Sequence, residues 1–175
     1  MSGAEVIGII SGVIAIIHAT AKVYKAVTNA SDLPEAFHDV ATRLPLVCKT
    51  LQTISRSLNN AILNEECYNT IKPILQQYEN RSTQLQKIFN HVIPQTDTSR
   101  MERYALTALT WGKRDTVETL IKGILEDIQL LTSNRVAELP TETDLTAVIQ
   151  KAIEEVAGIT ASLPDGIHVL CQTGC

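Results

Sequence analysis

Ala4–Val27 reads AEVIGIISGVIAIIHATAKVYKAV, and this stretch decides what kind of fold the rest of the chain must build. From Val6 to Ala21 it holds no Asp, Glu, Lys or Arg, and His18 is its one imidazole. A helix that packs one face on a core normally keeps a polar face toward water. This one offers Ser11, His18, Thr20 and little else. It is either the centre of a helical bundle or a segment suited to a lipid phase. It is a poor secretory leader, because Glu5 and no Lys or Arg precedes the apolar run. The uncharged stretch is 16 residues, about 24 Å of helix, against the roughly 20 residues that a bilayer core requires. A constitutive single span is therefore not expected. Gly8 and Gly12 form a G-x-x-x-G, and Ala15 and Ala19 extend the series of small residues. Such a series lets a second helix approach closely, in a membrane or as ordinary packing in a bundle.

Downstream, Leu33, Phe37, Val40, Leu44, Val47, Leu51, Ile54 and Leu58 alternate steps of four and three, the a/d seam of one long helix. Glu35, Asp39, Arg43, Lys49 and Arg56 solvate its other side. Ser31 or Asp32 can cap it, Pro34 sits near its first turn, and Pro45 predicts a bend near Thr42. A third helix is expected from Asn64 to Val92, with Cys67, Ile71, Ile74, Leu75, Tyr78, Leu85, Ile88, Phe89 and Val92 on one stripe. Pro73 marks a late start or a kink there. Arg100–Thr132 carries Tyr104, Leu106, Leu109 and Trp111, then a break or bend at Gly112, then Val117, Leu120, Ile121, Ile124, Leu125, Ile128 and Leu131. A last helix over Thr141–Ile159 turns Leu145, Val148, Ile149, Ala152, Ile153 and Val156 inward. With aromatics at 4% and no hairpin signal, the core must be aliphatic and helical. The expected fold is all-α, a bundle of about five main helices with a hydrophobic N-terminal helix. One domain is expected over 1–160, with 161–175 as a tail or the start of a linker.

The net charge of −4 is unevenly spread: residues 1–33 sum to zero, 34–114 to +3 and 115–175 to −7. No dense basic patch exists, so nucleic acid is not an expected partner. Most of these charges are solvated helix faces, although the polarity also suits a central section drawn to an acidic C-terminal helix or an anionic surface. Cys48, Cys67, Cys171 and Cys175 form no C-x-x-C, and His18, His38, His91 and His168 share no metal-ligand spacing. Cys48 and Cys67 read as small core residues. There is no G-x-x-x-x-G-K-[ST], G-x-S-x-G or H-E-x-x-H. The pairs Glu65–Glu66, Glu126–Asp127 and Glu154–Glu155 are helix neighbours that diverge by about 100° and do not converge on a substrate. No catalytic residue, metal site or cofactor is expected, and the chain does not read as an enzyme. His18 reads first as a satisfied or interface histidine, second as a pH gate on burial of the helix.

MSGAEVIGIISGVIAIIHATAKVYKAV at the amino end, LPEAFHDVATRLPLVCKTLQ from Leu33, and ERYALTALTWGKRDTVETLIKGILEDIQLL from Glu102 closely resemble the SesA domain. SesA is a fungal, HeLo-like family found at the amino end of NACHT and related nucleotide-binding receptors and of their effector partners. The resemblance covers about 1–160, and Leu33–Val47 is its most specific block. It implies a helical bundle that executes or relays programmed cell death of the heterokaryon-incompatibility kind. Copies gathered by a receptor or an amyloid-like seed would free the N-terminal helix to attack the plasma membrane. The implied partners are further copies of the chain, a NACHT/NLR-type receptor in cis or trans, and anionic lipids. The implied location is the cytoplasm at rest and the plasma membrane on activation. Carried onto this sequence, the membrane-active helix is Val6, Ile7, Gly8, Ile9, Ile10, Gly12, Val13, Ile14, Ile16 and Ile17, with Lys22 and Lys25 at the headgroups. The tail IHVLCQTGC shows no repeated Gly/Asn motif. The alternative is a soluble adaptor that relays oligomerisation by helix–helix contact, with its first helix as bundle core.

Overall fold

The computed structural model describes residues 3–27, 30–60, 64–94, 99–111, 116–133 and 143–163. These contain six helices: α1 (Gly3–Lys25), α2 (Glu35–Asn60), α3 (Glu65–Val92), α4 (Arg100–Trp111), α5 (Val117–Ser133) and α6 (Thr143–Ala157). No strand occurs among the described residues.

Local chemistry sets most boundaries. Lys22 and Lys25 fall in the last turn of α1, where cations suit the negative end of the helix dipole. α2 starts directly after Pro34, whose carbonyl accepts from the Phe37 N–H at 2.9 Å. Asp32 is not the cap its position suggested: its carboxylate takes the Arg100 Nη1 at 2.6 Å. Asn64 caps α3, its side-chain oxygen accepting from the Cys67 N–H at 2.8 Å. Both α2 and α3 run unbroken through their internal prolines, Pro45 and Pro73. The segment expected over Arg100–Thr132 divides into α4 and α5, which raises the count from five to six; Gly112 lies outside the described residues.

α1, α3, α5 and α2 form a ring in which each helix packs on the next, and α1 closes it by touching both α3 and α2. α6 lies against α5 and touches α2, while α4 packs on α3. The predicted a/d seam is the inner wall of this ring. Phe37, Val40, Leu44, Val47 and Leu51 are fully buried, Ile54 and Leu58 nearly so, and Leu33 is half-buried ahead of the helix. Val148 on α6, expected inside, faces water instead at 46% exposed, and Leu106 on α4 is 55% exposed. Both belong to the peripheral helices, which have too few neighbours to cover them.

The α3–α5 contact includes a partly buried ion pair, with Asp127 covered and Arg81 one-third exposed. The Arg81 guanidinium donates to the Asp127 carboxylate and, at 3.1 Å, to the Gly123 carbonyl. A Cβ on Gly123 would lie 2.7 Å from Arg81 Nε, so any larger residue there would require the Arg81 side chain to shift. Burial pushes the Asp127 carboxyl above its ordinary range, and Arg81 opposes this.

Candidate functional site

The first helix is a corner of the ring, not its centre. One stripe docks: Val6, Ile10, Val13, Ile17 and Thr20 are each 0% exposed. Their steps of four and three are the helical period, and Thr20 returns its hydroxyl to the Ile16 carbonyl at 2.9 Å. Ile7, Ile9, Ile14 and Ile16 flank the stripe half-buried. Gly8, Ser11, Gly12 and Ala15 face outward, and apart from the neighbouring residues and backbone of α1 itself no atom lies within 4 Å of where a Cβ on Gly8 or Gly12 would stand. The bundle therefore does not use the G-x-x-x-G as a packing contact. His18, Lys22 and Lys25 are exposed.

Polar contacts fasten both ends of this helix. At the amino end the Tyr68 hydroxyl donates to Glu5 Oε2 at 2.5 Å, and Lys72 Nζ reaches Glu5 Oε1 at 3.4 Å while sitting 5.3 Å above the Tyr68 ring. The hydrogen bond from Tyr68, reinforced by Lys72, holds the Glu5 carboxyl below its ordinary value. At the other end the Tyr24 hydroxyl meets His38 Nδ1 at 3.0 Å, and desolvation raises the Tyr24 phenol. The Tyr24 ring stacks toward Phe89 with centroids 6.3 Å apart. Sequence reading missed these fastenings. Glu5 and Tyr68 are 63 residues apart, and neither belongs to a motif.

Because the fold lowers the Glu5 carboxyl, its contribution to stability is present above about pH 4.5 and is lost as pH falls through the folded-state value. Glu5→Gln is thus expected to lower the melting temperature at pH 7, with the gap to the parent closing by about pH 3. Calorimetry on both proteins across that range is the check.

The described residues show no comparable arrangement for catalysis. No group of three or more His, Cys, Asp or Glu among them is placed to hold a metal ion. A cleft of about 380 Å³ between α2 and α6 is lined by Glu35, Asp39, Glu154 and Glu155 around Arg43. Arg43 is already engaged there, donating to the Asp39 carbonyl at 2.7 Å and pairing with Glu155 at 3.4 Å. Cys48 and Cys67 are buried, as their helical pattern suggested.

Comparison of the sequence with known protein families finds a match. No curated protein matches the chain, and no solved structure does. The SesA family, described as the N-terminal domain on NACHT NTPase and P-loop NTPases, matches residues 10–131, from the docked stripe of α1 to the end of α5. With well over half its length matched, from partway along α1 through α2 and α3 to near the end of α5, the chain belongs to the SesA family.

Proposed function

We propose that α1 is a releasable membrane-active helix, and that clustering by a NACHT- or other NTPase-type receptor frees it to breach an anionic bilayer and execute cell death. The protein then rests in the cytoplasm and acts at the plasma membrane, by assembly and without catalysis. One observation carries this reading. Ala4–Lys25 is long and apolar enough to cross a membrane, yet only 28% of its most apolar window is buried in the bundle. A core helix of such composition would be covered on all sides. The helix extends beyond the uncharged stretch, and its 22 residues span about 33 Å, enough for a hydrocarbon core of roughly 30 Å.

The energetics favour transfer more than a fully buried helix would allow. Of the eight Val and Ile side chains between Val6 and Ile17, the bundle fully covers four. Undocking exposes those four at about 1.5–3 kcal/mol each, roughly 6–12 kcal/mol together. Lipid returns that sum and in addition covers Ile7, Ile9, Ile14 and Ile16, which the bundle leaves half-exposed. Clustering has to supply the bias that initiates release.

The test places the full chain on a chemically inducible dimerising module with dye-loaded vesicles. Leakage is expected from anionic vesicles after clustering and not before. Lys22→Gln with Lys25→Gln should weaken vesicle binding roughly thirtyfold, at about 1 kcal/mol per lysine near an anionic leaflet. The outward Gly8/Gly12 face also favours a second reading, a homotypic adaptor with no membrane step. Clusters that stay folded, assemble in solution and leave vesicles intact would establish that reading and overturn the first.

A further inference from the structure

Packing continues past residue 160. Ser162 lies beyond α6 and is buried, inserted at the junction of α4 and α5. Its N–H donates to Glu118 Oε1 at 2.9 Å and its hydroxyl to Glu118 Oε2 at 2.5 Å. That uses the serine proton, so in the 2.5 Å contact between Ser162 Oγ and the Tyr104 hydroxyl the tyrosine is the donor. The Tyr104 oxygen in turn accepts the Val117 N–H at 3.1 Å, the first amide of α5. Burial pushes the Tyr104 phenol up to about 12, so it keeps the proton it donates.

Tyr104 is also the end of an aromatic chain. Its ring meets Phe37 edge-on at 4.9 Å, Phe37 meets Phe89 at 5.1 Å, and Phe89 meets Tyr24 of α1 at 6.3 Å. Phe37, Phe89 and Tyr104 are all 0% exposed. Contiguous side chains therefore lead from Ser162 through the core to the carboxyl end of the membrane-active helix. Offset and edge-on ring pairs of this kind have definite preferred geometries, so a shift of one ring moves the next.

We propose that Ser162 is an autoinhibitory latch: seated on Glu118 and Tyr104 it holds the aromatic chain that seats Tyr24, and its withdrawal loosens the carboxyl half of α1. The chain continues covalently beyond Leu163, so a receptor domain joined there would pull on the latch directly. This inference rests on the reading of α1 as a helix that must be released, and supplies the regulation of that release.

Hydrogen exchange on the full chain tests it without any membrane. Ser162→Ala removes the hydroxyl and keeps the N–H; Tyr104→Phe removes the other hydroxyl and keeps the ring. Each should speed exchange of amides over Thr20–Lys25 by about fivefold, the effect of losing one buried hydrogen bond, while mid-helix amides of α3 and α5 change less than about twofold. The double variant should exchange no faster there than the faster single variant, since both substitutions cut the same chain. Faster exchange confined to 158–163 and the start of α5 would overturn the latch, leaving a local clasp. A uniform rise across all helices would overturn it as well, showing only global destabilisation. Glu118→Gln, which leaves the tyrosine in place, gives the same readout if Tyr104→Phe does not fold. Failure of the membrane reading would show separately, as intact vesicles, whatever the exchange pattern.

Discussion

Ala15→Asp is expected to abolish vesicle leakage while leaving the resting fold intact. Ala15 is exposed and stands near the middle of the apolar helix Ala4–Lys25. In the bundle the new carboxylate points into water, and the helix loses about 0.7 kcal/mol at most in propensity. In a bilayer the same carboxylate sits at mid-depth, where a charge costs about 2.5–3.5 kcal/mol or more. Leakage per cluster should fall about a hundredfold, with circular dichroism and melting close to the parent. The position matters. Ile10→Glu, an obvious choice from sequence, places the charge at a fully buried site and unfolds the protein, which separates no hypotheses. A folded Ala15→Asp protein that leaks like the parent would exclude α1 from the membrane step.

Arg81→Ala is expected to have the second large effect, on stability. It leaves the Asp127 carboxylate, 4% exposed, without its counter-charge between α3 and α5. Breaking such a pair costs about 3–5 kcal/mol, and Arg81 is itself one-third exposed, so about 3 kcal/mol is expected. That is a large share of the roughly 5–15 kcal/mol by which a domain is stable. Asp127 already carries a raised pKa in the fold. A carboxyl raised by folding contributes stability when protonated and loses it as pH rises through the folded value. The Arg81→Ala deficit should therefore shrink on acidification from pH 7 to about pH 5. Replacing both residues by leucine should come within about 1 kcal/mol of the parent, since no charge is then stranded. Denaturant midpoints of the parent, Arg81→Ala and the double-leucine protein give the comparison; an Arg81→Ala loss below about 1 kcal/mol would contradict it.

The ring was legible wherever apolar residues were spaced among polar ones. Phe37 through Leu58 alternate so regularly that the buried face of α2 follows from counting, and the same holds for Leu120 through Leu131 on α5. α1 resisted because its uniform composition leaves no contrast from which to tell the docked face from the free one. Docked Val6, Ile10, Val13 and Ile17 and half-buried Ile7, Ile9, Ile14 and Ile16 are all β-branched aliphatics. The fastenings Glu5–Tyr68, Arg81–Asp127 and Tyr104–Ser162 join residues 63, 46 and 58 apart, where no local pattern connects them. Val148 misled for the opposite reason: it is apolar and on helical spacing, yet a peripheral helix presents it to solvent.

Tethering α1 to the bundle separates a helix that must leave its seat from one that acts in place. Cysteines at Glu5 and Lys72, whose side chains meet at 3.4 Å, can be joined by a short reducible bis-methanethiosulfonate linker in a chain freed of its four native cysteines. The linked protein, clustered on anionic vesicles, is expected to leave them sealed, and reduction of the linker should restore leakage to the level of the unlinked protein. Leakage by the linked protein at the unlinked rate would show that the helix never has to leave its seat, and would contradict the account.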